Sequence, residues 1–523
     1  MRGRIYGRYG MVFVLALLCL IGVACADGSD GDNDSNVDDD MEDDDAGDDD
    51  VSDDDADDDT WPPLPDDDAT DDDTDNEDWK YIRDEQGRAL ILHGCNFDGN
   101  AKGESGLPNR TEQEALDFGA VYGFNFMRYL IFWARIEEQQ GVYNDAYLDA
   151  VEDWLDTLAD AGMYVVLDMH QDVWGPFASD PNRNEDSDGA PEWATMTDGM
   201  PFVDFATMLG NWAFNYLSPD IMRAWDNFWD YDAHPELQDA YGAMWAHVAD
   251  RFKDHPAVLG YDIMNEPWQG SGLLRYRQFD ETVYTPFLQR VIDAIREADP
   301  EGWIFYEPNA FIANQAGPSY IAELADPRAG EARLAYFPHL YPLLIDVTGG
   351  YVPEVDHALP RWETLRTNEA AAHRVPVLAG EWSMLRWTDD ANRALWENTA
   401  LRMLERTTSG WTFWDCGFFL SGDEAHHARI ASIYPRAVAG TPISYGYDDT
   451  TGVFTLVFRN REGTTGPTEI YLSEERNYPD GWTLDVSDGG DTWSWDLDET
   501  TGVMSIWTNP AEAEHTIVIA PAE

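Results

Sequence analysis

The sequence predicts an α/β protein: a (β/α)8 TIM barrel over residues 79–435, followed by a small C-terminal antiparallel β-sandwich over 436–523. Three observations predict it. From Leu90 to Trp414, eight short apolar runs alternate with stretches of helical period. Most of these runs begin roughly 30–45 residues apart, the length of one βα unit, and strands that alternate with helices build a parallel sheet. After Tyr434-Pro435-Arg436 the helical period disappears, and strand-like runs separated by Gly, Asp and Asn take over.

At the N-terminus, Arg2, Arg4 and Arg8 precede the apolar run from Met11 to Leu18 and the small-residue exit Ala24-Cys25-Ala26. That pattern reads as an export signal over residues 1–26, too short to span a membrane. Ala24-x-Ala26 suits ordinary cleavage before Asp27. Ala24-Cys25 is similar to a bacterial lipobox, although Gly22 stands where that motif usually has an aliphatic residue. An outer-surface lipoprotein is expected, with simple secretion the alternative. Residues 27–78 hold 29 of the 102 acidic residues and no Lys or Arg. So polar a segment cannot bury enough surface to offset its ordering entropy, and a disordered tether is expected. The remaining body holds 73 acids against 29 bases, a net charge of −44. Nucleic acids and anionic membrane surfaces both call for Lys/Arg clusters, so neither is an expected partner. Membrane contact is expected only through a lipid anchor or the substrate, and the chain is expected to be a monomer.

The barrel strands are read at Leu90–Cys95, Phe124–Leu130, Met163–Asp168, Ala257–Ile263, Trp303–Tyr306, Leu334–Phe337, Val375–Ala379 and Gly410–Trp414. Between the second and third, Leu148, Val151, Leu155, Leu158 and Ala159 share one helical face, and Gly162 stands where a helix C-terminus favours glycine. The gap between the third and fourth strands is about twice as long as the others. Its stretch at about 174–250 carries Trp174, Phe177, Trp193, Phe202, Phe205, Trp212, Phe214, Trp225, Phe228 and Trp229. These aromatics either pack the excursion onto the barrel or form an apolar wall beside a cleft. Strands of the sandwich are read around Val453–Phe458, Glu469–Leu472, Met504–Trp507 and His515–Ile519.

Active sites of such barrels lie at the C-terminal ends of the strands. Those ends read Arg128, Asp168-Met169-His170-Gln171-Asp172, Asn265-Glu266-Pro267, Glu307, His339-x-Tyr341, Glu381 and Trp414. Glu266 and Glu381 close the fourth and seventh strands, which face each other across the mouth. One acid to protonate a leaving oxygen and one carboxylate to attack a sugar are what glycoside hydrolysis requires.

These residues resemble glycoside hydrolase family 5. All eight positions that family usually keeps have a match: Arg128, His170, Asn265, Glu266, His339, Tyr341, Glu381 and Trp414. The Asp168–Asp172 stretch, Gly189-Ala190-Pro191-Glu192-Trp193-Ala194 and the run from Tyr434 to Pro442 resemble the endoglycoceramidase branch, whose members cut between oligosaccharide and ceramide and carry a C-terminal β-sandwich. The resemblance implies a retaining endo-glycosidase on glycosphingolipids, with Glu266 as acid/base and Glu381 as nucleophile about 5–5.5 Å apart. Burial and a like-charged partner are expected to raise the Glu266 pKa, while Arg128 and the Tyr341 hydroxyl keep Glu381 ionised. Asn265 is expected at the sugar 2-OH and Trp414 under the sugar ring. His170 and His339 are expected to orient their neighbours, and Lys102 and Asp172 to bind sugar hydroxyls. No metal and no cofactor are expected. The alternatives are another family-5 β-glycosidase (on steryl glucoside, glucosylceramide or soluble β-glucan) and a non-catalytic carbohydrate-binding barrel.

Cys95 ends the first strand and Cys416 follows the eighth, neighbours when a barrel closes. A disulfide is one outcome; two buried free thiols are expected.

Overall fold

The computed structural model describes residues 77–178 and 188–522. The expected export signal, lipobox and nearly all of the acidic tether lie outside the described residues. A single compact unit starts at Glu77, two residues ahead of the boundary read from composition. Asp78 belongs to this unit, because Arg83 (2.7 Å) and Arg461 (2.9 Å) both pair with it.

A two-residue strand, β1 (Ala89–Leu90), precedes the eight barrel strands: β2 (Leu92–Phe97), β3 (Phe126–Ile131), β4 (Tyr164–Met169), β5 (Val258–Asp262), β6 (Trp303–Tyr306), β7 (Leu334–Tyr336), β8 (Ala379–Trp382) and β9 (Gly410–Phe413). Neighbours pair in parallel in the order β7-β6-β5-β4-β3-β2-β9-β8. Backbone bonds from Tyr336 N to Pro376 O (2.8 Å) and Leu340 N to Glu381 O (2.9 Å) join the two ends, so the barrel closes. The strands are buried on both sides, as continuous apolar runs between helices should be.

Local chemistry sets the helices. Asp145–Asp160 starts under the Asn144 side chain, which accepts from Tyr147 N, and buries Leu148, Val151, Leu155 and Leu158. It stops at Gly162, at φ 70°, a conformation any residue with a Cβ avoids. The long gap after β4 is resolved into an excursion of short helices (Phe205–Leu209, Trp212–Leu217, Pro219–Trp229) and the barrel helix Pro235–Phe252. Of its aromatics, Trp174, Trp225, Phe228 and Trp229 are core, packed against Tyr241 and Phe287. Phe177 and Trp212 stay exposed.

The C-terminal strands form two antiparallel sheets. β10 (Tyr434–Val438), β13 (Thr468–Tyr471), β15 (Ser494–Asp498) and β16 (Val503–Trp507) join β1 in the order β1-β10-β13-β16-β15. β11 (Thr441–Asp448), β12 (Val453–Arg459), β14 (Trp482–Val486) and β17 (Glu514–Pro521) pair in the order β11-β12-β17-β14. The apolar core between them is built from alternate residues such as Phe454, Leu456 and Phe458 against Met504, Ile506, Ile517 and Ile519. Because β1 comes from before the barrel, the sandwich is stitched to the barrel's N-terminal end. His93 stacks between Trp411 (4.4 Å) and Tyr434 (4.0 Å), and the Tyr434 hydroxyl donates to Gly123 O at 2.8 Å.

One expectation is overturned here. Cys95 and Cys416 are not free thiols but a disulfide, with Cα atoms 5.3 Å apart. The parallel pairing of β2 with β9 places Cys95 beside Phe413, and the turn into the short helix Cys416–Leu420 brings the second cysteine alongside.

Candidate active site

Glu266 and Glu381 leave opposite strands of the barrel and meet over its mouth. With His339 they form a group in which one carboxylate oxygen of each glutamate and one ring nitrogen lie within 4.8 Å of one another. That is the close spacing of retaining glycosidases, since an inverting pair stands about 6.5–9.5 Å apart to admit a water.

The backbone presents Glu266 under constraint. Its φ is 42°, a left-handed conformation that persists in a side-chain-bearing residue only when neighbours over-determine it. Here Gln171 Nε2 donates to the carbonyls of Asn265 (2.8 Å) and Glu266 (3.0 Å), while Glu266 N donates to Glu307 Oε2 at 2.8 Å. Its carboxylate accepts from Asn314 Nδ2 (2.9 Å) and from His339 Nδ1 (3.0 Å).

Glu381 is held from two sides. Arg128 Nη1 donates to Oε1 at 2.7 Å, and the Tyr341 hydroxyl donates to Oε2 at 3.0 Å. Gly380 makes room for this: a Cβ there would stand 2.8 Å from His339 Nε2. Arg128, wholly buried, also meets Asn96, Asp168, Asp262, Asn265 and Glu307 at 2.8–3.0 Å. One guanidinium thus orders the ends of five strands.

Four carboxylates around one arginine leave a net negative charge in a buried site. Burial pushes Asp168 and Glu307 up, Glu307 to about 8. His339 bridges Glu266 and Glu307, its Nε2 lying 3.1 Å from Glu307 Oε1. Although burial opposes its charge, the surrounding carboxylates hold its pKa well above the ordinary histidine range. His170 goes the other way, pulled down by burial and by Lys102 and Arg128. It is a neutral ring oriented by Asp168 (2.7 Å) and stacked on Trp414 at 5.5 Å.

The expected order of the two glutamate pKa values is reversed in the free site. Burial alone raises Glu266, but the His339 hydrogen bond and charge, with Asn314, bring it below the ordinary range. Burial outweighs His339 and Arg128 at Glu381, which moves up. The reason is geometric: the His339 cation sits 3.0 Å from Glu266 and 3.8 Å from Glu381. Sequence could not show which carboxylate it would favour.

The other expected residues converge too. Lys102 pairs with Asp172 and lies over the Trp414 ring at 4.5 Å, and Asp188 accepts from Asp172 N at 3.0 Å. Asn265 sends Oδ1 to Arg128 and Nδ2 to Gln171 O. His170, Asp172 and Asp188 approach like metal ligands, as do Glu266, His339 and Glu381. Lys102 and the His339 cation already occupy those carboxylates, so neither group fits a divalent ion.

From sequence, Glu307 stands at a strand end but has no role, and Tyr216 is not named. Glu307 had a signal, a strand-end Glu-Pro (Glu307-Pro308) like that at Glu266. Tyr216 had none: it comes from the excursion, buried beside Asp172 and Glu266, whose charges raise its pKa beyond what burial does. Trp212, Tyr216, Trp268 and Phe311 form a chain of ring contacts at 4.8–6.3 Å, running from the Glu266 side out to the exposed Trp212.

Residues 84–419 match the cellulase family, glycosyl hydrolase family 5, and residues 433–519 match the glycoside hydrolase family 5 C-terminal domain. The chain belongs to glycoside hydrolase family 5. This family-5 enzyme is 30% identical to endoglycoceramidase I of Rhodococcus hoagii over 79% of its own length and 82% of the relative's. It is 24% identical to an endoglycoceramidase of Hydra vulgaris over 77% and 81%. The solved structure of endo-glycoceramidase II from a Rhodococcus species in complex with ganglioside GM3 superposes with a TM-score of 0.76 at 32% identity, covering 85% of this chain and 99% of that one. As a family-5 enzyme the chain is a glycosidase.

Proposed function

We propose that the protein is a retaining endo-glycosidase that hydrolyses the bond between the oligosaccharide and ceramide of glycosphingolipids. The aromatic chain through Tyr216 to Trp212 carries this reading: Tyr216 stands beside Glu266, an acid must stand beside the departing oxygen, and ceramide is an apolar leaving group. The endoglycoceramidases among its relatives support it.

In the proposed reaction the Glu381 carboxylate attacks the anomeric carbon while Glu266 protonates the departing ceramide oxygen. Water then attacks the glycosyl ester from the vacated side, giving its proton to Glu266, and two inversions retain the configuration. Glu266 and His339 share one proton along their 3.0 Å bond. Moved onto Glu266, it is the proton the leaving oxygen receives, and the imidazole stays bonded to Glu307. Arg128 and Tyr341 hold the carboxylate of Glu381 in line. Asn265, oriented by Arg128 and Gln171, faces the 2-OH, and Trp414 carries the ring between His170 and Lys102. We further propose export through the N-terminal signal, with the acidic segment as a spacer.

Incubation with a ganglioside, glucosylceramide and carboxymethylcellulose tests the reading. Intact oligosaccharide plus ceramide is expected; glucose alone, or cleavage of the cellulose only, overturns it. Glu381→Gln is expected to lower kcat by about 10⁴-fold or more, as removal of a nucleophile does. Near-full turnover by this variant would refute the assignment.

A further inference from the structure

The run from Tyr434 to Pro442 contains an arginine that the catalytic site does not use. Arg436 is the extra residue of a β-bulge: Pro435 pairs with Ile470 and Ala437 with Glu469, so two steps along β10 face one step along β13. Bulges of this kind re-aim a side chain. That of Arg436 lines a cleft of about 270 Å³ between the barrel and the sandwich, together with Gly162 and Tyr164 at the start of β4, Pro256 ahead of β5, Arg88 and Glu469. The cleft lies where barrel strands begin, at the end opposite the catalytic mouth.

Several polar groups in it are left open. Among the described residues, Arg436 is the only half-buried cation whose side chain enters no hydrogen bond or ion pair; Arg275 and Arg374, which also lack one, are exposed. A guanidinium withdrawn from water is seldom left unpaired, because its lost solvation then goes unreplaced. The Tyr164 hydroxyl, which has no partner either, sits within the field of Asp84, Arg88, Glu469 and Arg436. Arg88 by contrast is fully engaged, by Asp84 (2.7 Å), Glu469 (2.6 Å) and Pro467 O (3.0 Å). Glu469 meets it through Oε1 and keeps Oε2 open.

A planar cation, a hydroxyl and a carboxylate oxygen thus face one small space. The guanidinium fork matches a carboxylate, a phosphate or a sulfate. Asp84 and Glu469 already outnumber Arg88 beside it, so a dianion meets more repulsion there than a single carboxylate does. The open oxygen of Glu469 accepts, and the Tyr164 hydroxyl both donates and accepts, which suits a ligand that carries hydroxyls as well. The volume lies just under the roughly 300–1,000 Å³ of sites for drug-sized ligands, room for one sugar residue. The body's net charge of −44 opposes anions at a distance, so recognition has to come from contact at Arg436.

We propose that this cleft is a second, non-catalytic site that binds a sugar acid, with the carboxylate on Arg436 and the ring hydroxyls on Tyr164 and Glu469. It works independently of Glu266 and Glu381, and the proposal does not depend on which glycoside the mouth cleaves.

The test titrates the full chain with sodium glucuronate at low salt and follows ligand binding by saturation-transfer NMR. Saturable binding is expected. Arg436→Gln should weaken it about tenfold or more, and Tyr164→Phe about threefold or more. Arg436→Lys, which keeps the charge without the fork, should weaken it about three- to tenfold. Glucose lacks the carboxylate and acetate the hydroxyls, so each should bind at least about tenfold more weakly than glucuronate. All three variants are expected to keep kcat/KM on a soluble aryl lactoside within about twofold, which shows the fold intact. An absence of saturable binding by the parent overturns the proposal. So does undiminished binding by Arg436→Gln and Arg436→Lys, which places the ligand elsewhere, or acetate binding as tightly as glucuronate, which leaves the ring hydroxyls without a role.

Discussion

Arg128 and His339 are the two cations on which the site's chemistry turns, and they act differently. Arg128 cannot lose its charge, so it fixes geometry; His339 can, so it sets proton traffic. The imidazolium draws both Glu266 and Glu381 down. Replacing it by an uncharged side chain should let both carboxyls titrate higher. For His339→Asn, the acidic limb of kcat/KM, where Glu381 must ionise, is therefore expected to move to higher pH; an unmoved limb means that another group governs it. Tyr341→Phe removes one of the two bonds that hold Glu381. It should lower kcat by about tenfold and leave KM for a soluble substrate nearly unchanged, because the Glu381 carboxylate reacts only in the transition state. A larger change in KM than in kcat would show that Tyr341 serves ground-state binding instead. The paired glutamates, with Arg128, Asn265, His339 and Tyr341, were legible in sequence, since each stands at or just past the end of an apolar run; Asn314, which donates to Glu266, was not. Tyr216 was not, because its approach depends on how an irregular excursion folds back.

Among the elements, strand order and the strand-end positions followed from the alternation of apolar runs with helical period. β8 begins four residues later than read: Val375 and Val377 look like its start, but Pro376 cannot donate to a ladder, and only an isolated bridge from Val377 to Tyr336 forms there. The helix running from Tyr276 to Ala298 hides a feature no periodicity reveals, a π-turn over Asp280–Tyr284. It buries Asp280, whose carboxylate accepts from Tyr320 N at 2.9 Å and whose pKa is pushed up to about 7 by burial, with Glu369 and Glu281 adding to the rise. A carboxyl that binds its proton more tightly when folded stabilises the fold below its unfolded pKa and loses that contribution as pH rises through the folded value. Stability from this group should thus fall between about pH 4 and 7, by ~4 kcal/mol at most. Asp280→Asn keeps the shape without the charge. Its urea midpoint is expected to come closest to the parent's at about pH 4 and to exceed it by a growing margin up to pH 8, and equal midpoints at pH 8 would show that Asp280 stays ionised at little cost.

For the whole molecule, the sequence marks where barrel and sandwich meet but not how they are joined. β1 lies in the sandwich although it precedes the barrel in the chain, a long-range pairing that local patterns cannot carry. The chain therefore enters the sandwich, runs through the entire barrel and returns at Tyr434. The Cys95–Cys416 bond spans nearly the same circuit, a sequence separation of 321 residues. Cross-linking so long a loop removes much of the unfolded chain's freedom, and chain-entropy accounting puts the upper figure for the stabilisation at roughly 6 kcal/mol. The cross-link also lies one residue from Asn96, which receives Arg128 Nη1 at 3.0 Å, so loss of the bond tests whether the site depends on it. The strand ladder from β2 to β9 remains when the sulfurs are gone, and with it the register that positions Arg128. Cys95→Ser with Cys416→Ser is accordingly expected to lower the denaturant midpoint markedly while leaving kcat/KM at low temperature within a few-fold of the parent. An unchanged midpoint would show that the ladder alone closes the barrel; a lost site in a folded variant would show that the disulfide positions Arg128.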